Sequence, residues 1–217
     1  MNYENARKLM LAQQLRTVGV LEPKVLDIMG TLPREQFVAE KLRPFAYADT
    51  SLALGEQQII LPPKEQGLIV QTLALKADDI ILEIGTGSGY LTAILATLGQ
   101  TVTSIEIIDE FSAAAQQRLR TLAIENVKLI VDDANNCWQQ SAPFDVICIT
   151  AGLALYPENY KQGLKVGGRL FAIIGTAPTM RAMVITRIAE ETWSETTLFE
   201  TVVPKMINAP LPEAFNL

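Results

Sequence analysis

Glu83, Gly85, Gly87 and Gly89 are the residues of this chain whose types and spacing describe chemistry most directly. They close the apolar run Ile80-Ile81-Leu82-Glu83-Ile84 and lead through Tyr90 into a stretch of helical periodicity, the pattern of a buried strand, a tight turn and a helix. Residues without Cβ let the backbone bend sharply and let a ligand lie against it. Free N–H groups are expected where the helix begins. Such a corner suits a nucleoside-bearing cofactor at the carboxyl edge of a sheet. The dinucleotide fingerprint has its third glycine one position later, where Tyr90 stands. A carboxylate at Glu83 attracts a cationic cofactor and repels a pyrophosphate. Tyr90 and Glu83 together disfavour a nicotinamide-linked oxidoreductase.

Other polar residues fall at the same expected edge. Glu106 ends the next apolar segment, with Ile107 after it, and a carboxylate there can accept hydrogen bonds from both hydroxyls of a ribose. Asp132-Asp133-Ala134 follows the segment after that. Asp133 can accept a hydrogen bond from an adenine amino group, or it can cap a turn, and both readings stay open. Thr150-Ala151-Gly152 places small side chains where a substrate needs room, or where a tight turn does. Asp145 reads as a turn anchor, Gly167-Gly168-Arg169-Leu170 as a turn into a strand, and Trp138 and Trp193 as packing residues.

Composition narrows the chemistry. The 217 residues contain no histidine, which removes Ser-His and Cys-His mechanisms and most zinc sites, so no metal is expected. Cys137 and Cys148 are the only cysteines, and Cys148 lies in an apolar run, as an inert buried thiol would. A net charge of −6 argues against a nucleic-acid surface. No apolar run is long enough to span a bilayer, and residues 1–16 lack the apolar segment of a signal peptide. The expectation is a cytoplasmic protein with neither nucleic acid nor membrane as partner. Apolar residues make up 49% of the chain, ample for one core.

Periodicity supplies the elements that must hold these residues. Helices are predicted over 5–16, 24–32 and 64–75, with 46–60 irregular or short-stranded. Strands at 80–84, 101–106, 127–131, 144–150 and 169–174 then alternate with helices at 90–98, 110–123 and 156–163. That alternation implies an α/β fold with a mainly parallel sheet and helices on both faces. The tail, at 182–189 and 196–203, is β-rich and predicts a terminal antiparallel hairpin. The expected organisation is a helical and substrate-loop extension over 1–78 and a cofactor-binding unit over 79–217.

Several stretches carry a family resemblance. The acid-x-Gly-x-Gly-x-Gly run resembles motif I of the class I S-adenosylmethionine methyltransferases. Gln14-Leu15-Arg16 with Gly19-Val20, Pro33-Arg34-Glu35 with Phe37-Val38, Ala46-Tyr47 with Asp49, and Leu54-Gly55 with Gln57 are similar to elements of the protein-L-isoaspartate O-methyltransferases. So are Glu83 to Tyr90, Pro143-Phe144-Asp145 and Gly167-Gly168-Arg169-Leu170. The resemblance runs from about residue 11 to residue 205. It implies a Rossmann-like class I methyltransferase fold with a seven-stranded sheet, and S-adenosylmethionine as cofactor. The implied reaction is methyl transfer to the α-carboxylate of isoaspartyl residues in proteins, for repair. A carboxylate is already ionised at neutral pH, so that reaction needs no general base.

The resemblance implies a cofactor set of Glu83, Gly85, Thr86, Gly87, Ser88, Gly89, Glu106, Ile107, Asp133, Ala134 and Thr150, and catalytic positions at Gln57, Ile60 and Thr150. The family's loop reads Gly-x-Gln-Thr-Ile-Ser-Gln-Pro, and this chain has Gly55-Glu56-Gln57-Gln58-Ile59-Ile60-Leu61-Pro62. Ile60 therefore stands where the family's active-site hydroxyl is assigned, and it cannot donate to a carboxylate. A less polar acceptor, or a changed one, is expected from that change. The alternative is a cofactor-binding relative that acts on another acceptor or serves as an interaction module. The expected partner is a protein or peptide carrying isoaspartate, met by a monomer or homodimer.

Overall fold

The computed structural model describes residues 2–212. Helix α1 (Tyr3–Met10) starts at Asn2, whose side chain accepts the Asn5 N–H at 3.0 Å. The predicted helix over 5–16 is not continuous. Past Met10 the backbone widens into a π-helical turn, Leu11–Leu15, then tightens into a 3-10 turn, Arg16–Val18, that ends at Gly19 with φ 89°. Apolar spacing alone does not distinguish these windings. Helix α2 (Pro23–Thr31) opens on proline, where no N–H is needed. After two more 3-10 turns come strands β1 (Leu52–Gly55) and β2 (Gln58–Ile60), and then α3 (Pro63–Leu73).

Strands β1 and β2 form an antiparallel hairpin in which Gly55 faces Gln58, so the loop is Glu56-Gln57 alone. Both loop residues are left-handed, with φ of 47° and 58°, as a two-residue hairpin of matching twist requires. Neither is a residue that adopts this region cheaply. Gln57→Gly is expected to raise stability by about 0.5–1 kcal/mol. A shift of the urea midpoint to higher concentration at unchanged slope would show it, and an unshifted or lower midpoint would refute it.

The remaining elements are β3 (Ile80–Ile84), α4 (Tyr90–Leu98), β4 (Thr101–Glu106), α5 (Asp109–Thr121), β5 (Val127–Val131), α6 (Ala134–Cys137), β6 (Phe144–Leu153), α7 (Glu158–Gln162), β7 (Leu164–Thr176), β8 (Thr179–Ala189) and β9 (Thr192–Thr201). They build one seven-stranded sheet in the order β5-β4-β3-β6-β7-β8-β9. The first five strands in that order run parallel, and β8 and β9 return antiparallel as the expected hairpin. The first three of these strands, β3 to β5, have the predicted bounds. Strands β6 and β7 are longer than predicted because Leu164 pairs with Phe144 and Leu153 with Ile174, contacts without a local signal.

Alternate residues of β3 feed two apolar layers. Ile81 packs in a cluster with Ile69 of α3, Ile94 of α4 and Leu119 of α5, which continues into Met10, Leu15 and Met29 of the N-terminal segment. Leu82 and Ile84 belong to the opposite layer, with Ala134 of α6 and Tyr160 of α7. The N-terminal elements are thus bound to one face of the sheet by its main core. Among the described residues no helix is long and apolar enough to cross a membrane.

Candidate active site

Strand β3 has β4 on one side and β6 on the other. The chain leaves the carboxyl ends of β3 and β6 toward opposite faces, and a crevice opens where those connections part. A cleft lies there. Its wall includes Gly85, Thr86, Gly87, Ser88, Glu106, Ile107, Asp133, Ala134, Thr150 and Ile60, ten of the positions expected from the sequence. Glu83, Gly89 and Gln57 are not in the wall.

Gly85, Gly87 and Gly89 all have left-handed φ, between 53° and 88°. Gly89 also brings two helices together: a Cβ there would stand 2.9 Å from the Ala115 Cβ in α5. The glycine N–H groups themselves are all used within the fold. The Gly85 N–H donates to Ile105 O at 2.8 Å, Gly89 to Thr86 O at 2.9 Å and Gly87 to Glu106 Oε2 at 2.8 Å. The Tyr90 N–H reaches Ser88 Oγ at 3.3 Å. The three glycine donors are therefore not free for an anion, while the Thr86 and Ser88 N–H groups of the loop remain unused among the described residues.

Glu83 stands behind this loop, fully buried. Its Oε2 accepts from Thr92 Oγ1 at 2.5 Å and Ser104 Oγ at 2.6 Å, while its Oε1 has no partner. Burial pushes its pKa up to about 7, against the two hydroxyl hydrogen bonds that pull it down. An unpartnered buried carboxylate oxygen invites a cation or a water. Glu106, at the end of β4, is bound by the Gly87 and Ile108 N–H groups, one per oxygen. Each oxygen keeps a further lone pair that can accept from a ribose. Ile107, Ile108 and Phe111 supply an apolar wall beside it, as a nucleobase needs.

Asp133 fulfils its turn-capping reading. It caps α6, its Oδ1 accepting the Asn135 N–H at 2.9 Å, and its Oδ2 accepts Asn208 Nδ2 at 2.9 Å. Burial raises its pKa, but the bonds from Asn135 and Asn208 outweigh that and hold it below the ordinary range. Asp145 is structural, but it lies within β6 and ties neighbouring strands rather than a turn, accepting from the Ile80 N–H of β3 and pairing with Lys165 of β7.

The hairpin covers the other side of the cleft. Gln58, Ile59, Ile60 and Leu61 line it, and Leu54 leans toward Gly87, 3.3 Å from where a Cβ would be. Gln57 sits at the exposed tip of the turn, so its neighbour Gln58 is the amide in the wall. Thr50 and Ser51 are exposed and outside the cleft. The sequence also gave no sign of the last wall. Pro204 to Ile207 returns past the end of β6, where the Gly152 N–H donates to Pro204 O and the Met206 N–H to Gly152 O, both at 2.9 Å. Gly152 permits this approach: a Cβ there would stand 2.3 Å from Met180 Cε and 3.3 Å from Pro204 O.

The family model described as protein-L-isoaspartate(D-aspartate) O-methyltransferase matches residues 5–205. Protein-L-isoaspartate O-methyltransferase 1 of Pelobacter propionicus is 39% identical over 200 residues, 91% of this chain and 93% of its own. The protein-L-isoaspartate O-methyltransferase of Brucella anthropi is 37% identical over 214 residues, 98% of both chains. Among solved structures, a protein-L-isoaspartate O-methyltransferase superposes with a TM-score of 0.80 at 25% identity, covering 92% of this chain and 65% of that one. A Plasmodium falciparum structure assigned to the same activity, in complex with S-adenosyl-L-homocysteine, superposes with a TM-score of 0.80 at 20% identity over 95% and 98% of the two chains. That last likeness supports the fold.

Proposed function

The chain belongs to the protein-L-isoaspartate O-methyltransferase family, and from that premise we propose that it methylates the α-carboxylate of isoaspartyl residues in proteins. The observation that carries the reading is that the family match spans residues 5–205, and that the β1–β2 hairpin, the glycine loop and Pro204-Lys205 within that span wall the same cleft. The residues present fit S-adenosylmethionine. Glu106 lines the cleft and keeps lone pairs for a ribose, the glycine donors of the loop are already satisfied, and Glu83 stands behind that loop with one unpartnered oxygen.

When bound, S-adenosylmethionine supplies a methyl group carried on a positive sulfur. The chain's own part is to hold the two reactants in line and to exclude water. Glu106 orients the ribose. Thr150, three residues before the end of β6 and beside Gly85, lies where the cofactor side of the cleft meets the acceptor side. Ile59, Ile60 and Leu61 form an apolar cover under which a carboxylate loses hydration. No residue needs to take a proton, because the acceptor arrives ionised.

The test is incorporation of labelled methyl from S-adenosylmethionine into an isoaspartyl peptide, with the normal aspartyl peptide as control. Base-labile label on the isoaspartyl peptide alone is expected. Binding of S-adenosylhomocysteine without label on that peptide would overturn the acceptor assignment.

A further inference from the structure

We propose that Lys205 receives the acceptor's carboxylate, supplying the attraction that the apolar hairpin does not; this rests on the isoaspartyl reading above. Lys205 is the one cationic side chain lining the cleft among the described residues. The other charged groups of the wall, Glu106, Asp132 and Asp133, repel an anionic substrate. Lys205 is exposed and forms no ion pair among the described residues, so its charge is available to a ligand. Its backbone is fixed all the same, bridged to Gly152 through hydrogen bonds on either side of it. Gly152 lies two residues beyond Thr150, which places Lys205 beside the last residues of β6, where acceptor and cofactor sides meet. Across the cleft the hairpin presents Ile59, Ile60 and Leu61, none of which donates a side-chain hydrogen bond. Gln58 and Thr150 are neutral donors there and give no long-range attraction.

The acceptor loses its negative charge as the methyl group is transferred. A cation beside it therefore stabilises the bound carboxylate more than the transition state. Lys205 acts on acceptor binding and not on the chemical step, which separates it from a merely structural residue. Lys205→Met is expected to raise KM for an isoaspartyl peptide about five- to tenfold, with kcat unchanged or slightly higher. Lys205→Arg keeps the charge and is expected to restore KM. The wild-type KM should rise with added salt, and that dependence should flatten in Lys205→Met. Anisotropy of a labelled isoaspartyl peptide, titrated with protein saturated in S-adenosylhomocysteine, gives the same comparison without turnover.

Equal peptide affinity for wild type and Lys205→Met would overturn the assignment while leaving the family activity standing. Parallel loss of S-adenosylhomocysteine affinity would also overturn it, by showing that the tail had moved. A wild-type protein that binds S-adenosylhomocysteine but neither binds nor methylates the peptide would overturn the acceptor reading itself, and this inference with it.

Discussion

Arg34→Ala is expected to lower the stability of the protein by about 3–5 kcal/mol, a large part of the roughly 5–15 kcal/mol that holds a domain folded. The Arg34 guanidinium is fully buried among parts of the chain that are far apart in sequence. It donates to Ala46 O at 2.7 Å, to Leu61 O at 2.7 Å and to Gln66 Oε1, and it lies 4.7 Å over the Tyr90 ring. No carboxylate pairs with it among the described residues. Burial pushes its pKa down, with only Tyr90 and Tyr47 acting against that. The ion is thus held by neutral acceptors alone, and truncation strands all of them in a place water reaches poorly. Arg34→Met fills much of the volume but satisfies none of the acceptors. It should recover only the packing share, about 1–2 kcal/mol. Urea unfolding of the three proteins decides this: a loss below 1 kcal/mol in Arg34→Ala would show that the guanidinium's desolvation cancels its bonds. Because Leu61 directly follows Ile60, the same variant should also loosen the hairpin over the cleft.

The sequence carries the cofactor side of the cleft well because that side is built from local signals. Ile80 to Tyr90 contains a strand, a turn and a helix start within one short run, and Glu106 is marked by its place at a strand end. What local signals do not carry there depends on a neighbouring strand: the Gly85 and Gly87 N–H groups are spent on Ile105 O and Glu106, which only the β3–β4 register brings close. The acceptor side was harder. The frame Gly55 to Pro62 pointed to Gln57, but the two-residue turn throws Gln57 outward and leaves Gln58 in the wall. Residues 204–207 show no periodicity or motif of their own. Their place depends on a bridge to Gly152, more than fifty residues earlier, and on Asn208 meeting Asp133. Such contacts are set by tertiary packing, so Lys205 entered the cleft unannounced.

Glu83→Gln is expected to reverse two properties at once, and the sign of each follows from the buried carboxylate. In the folded protein Glu83 titrates near 7, against an ordinary value of 4.5, because burial disfavours its charged form more than the Ser104 and Thr92 hydroxyls favour it. Between those pH values the folded state binds more protons than the unfolded chain, so stability falls as pH rises. The contribution is fully present below 4.5 and is lost by about pH 7, on the order of 3 kcal/mol in all. Glutamine has no charge to desolvate. The ligand-free variant should therefore lose this slope and be the more stable protein at pH 8. A cationic ligand acts in the opposite direction: it favours the ionised carboxylate, so S-adenosylmethionine should bind more tightly as pH rises through 7 and should release a proton below it. In Glu83→Gln that dependence should vanish and affinity at pH 8 should drop by about ten- to a hundredfold. Urea midpoints from pH 5 to 8 and calorimetric titrations in two buffers of different ionisation heat measure both. Equal affinity at pH 8 for wild type and variant would mean that Glu83 only braces the loop through Thr92 and Ser104, and that the ligand's positive charge is met elsewhere.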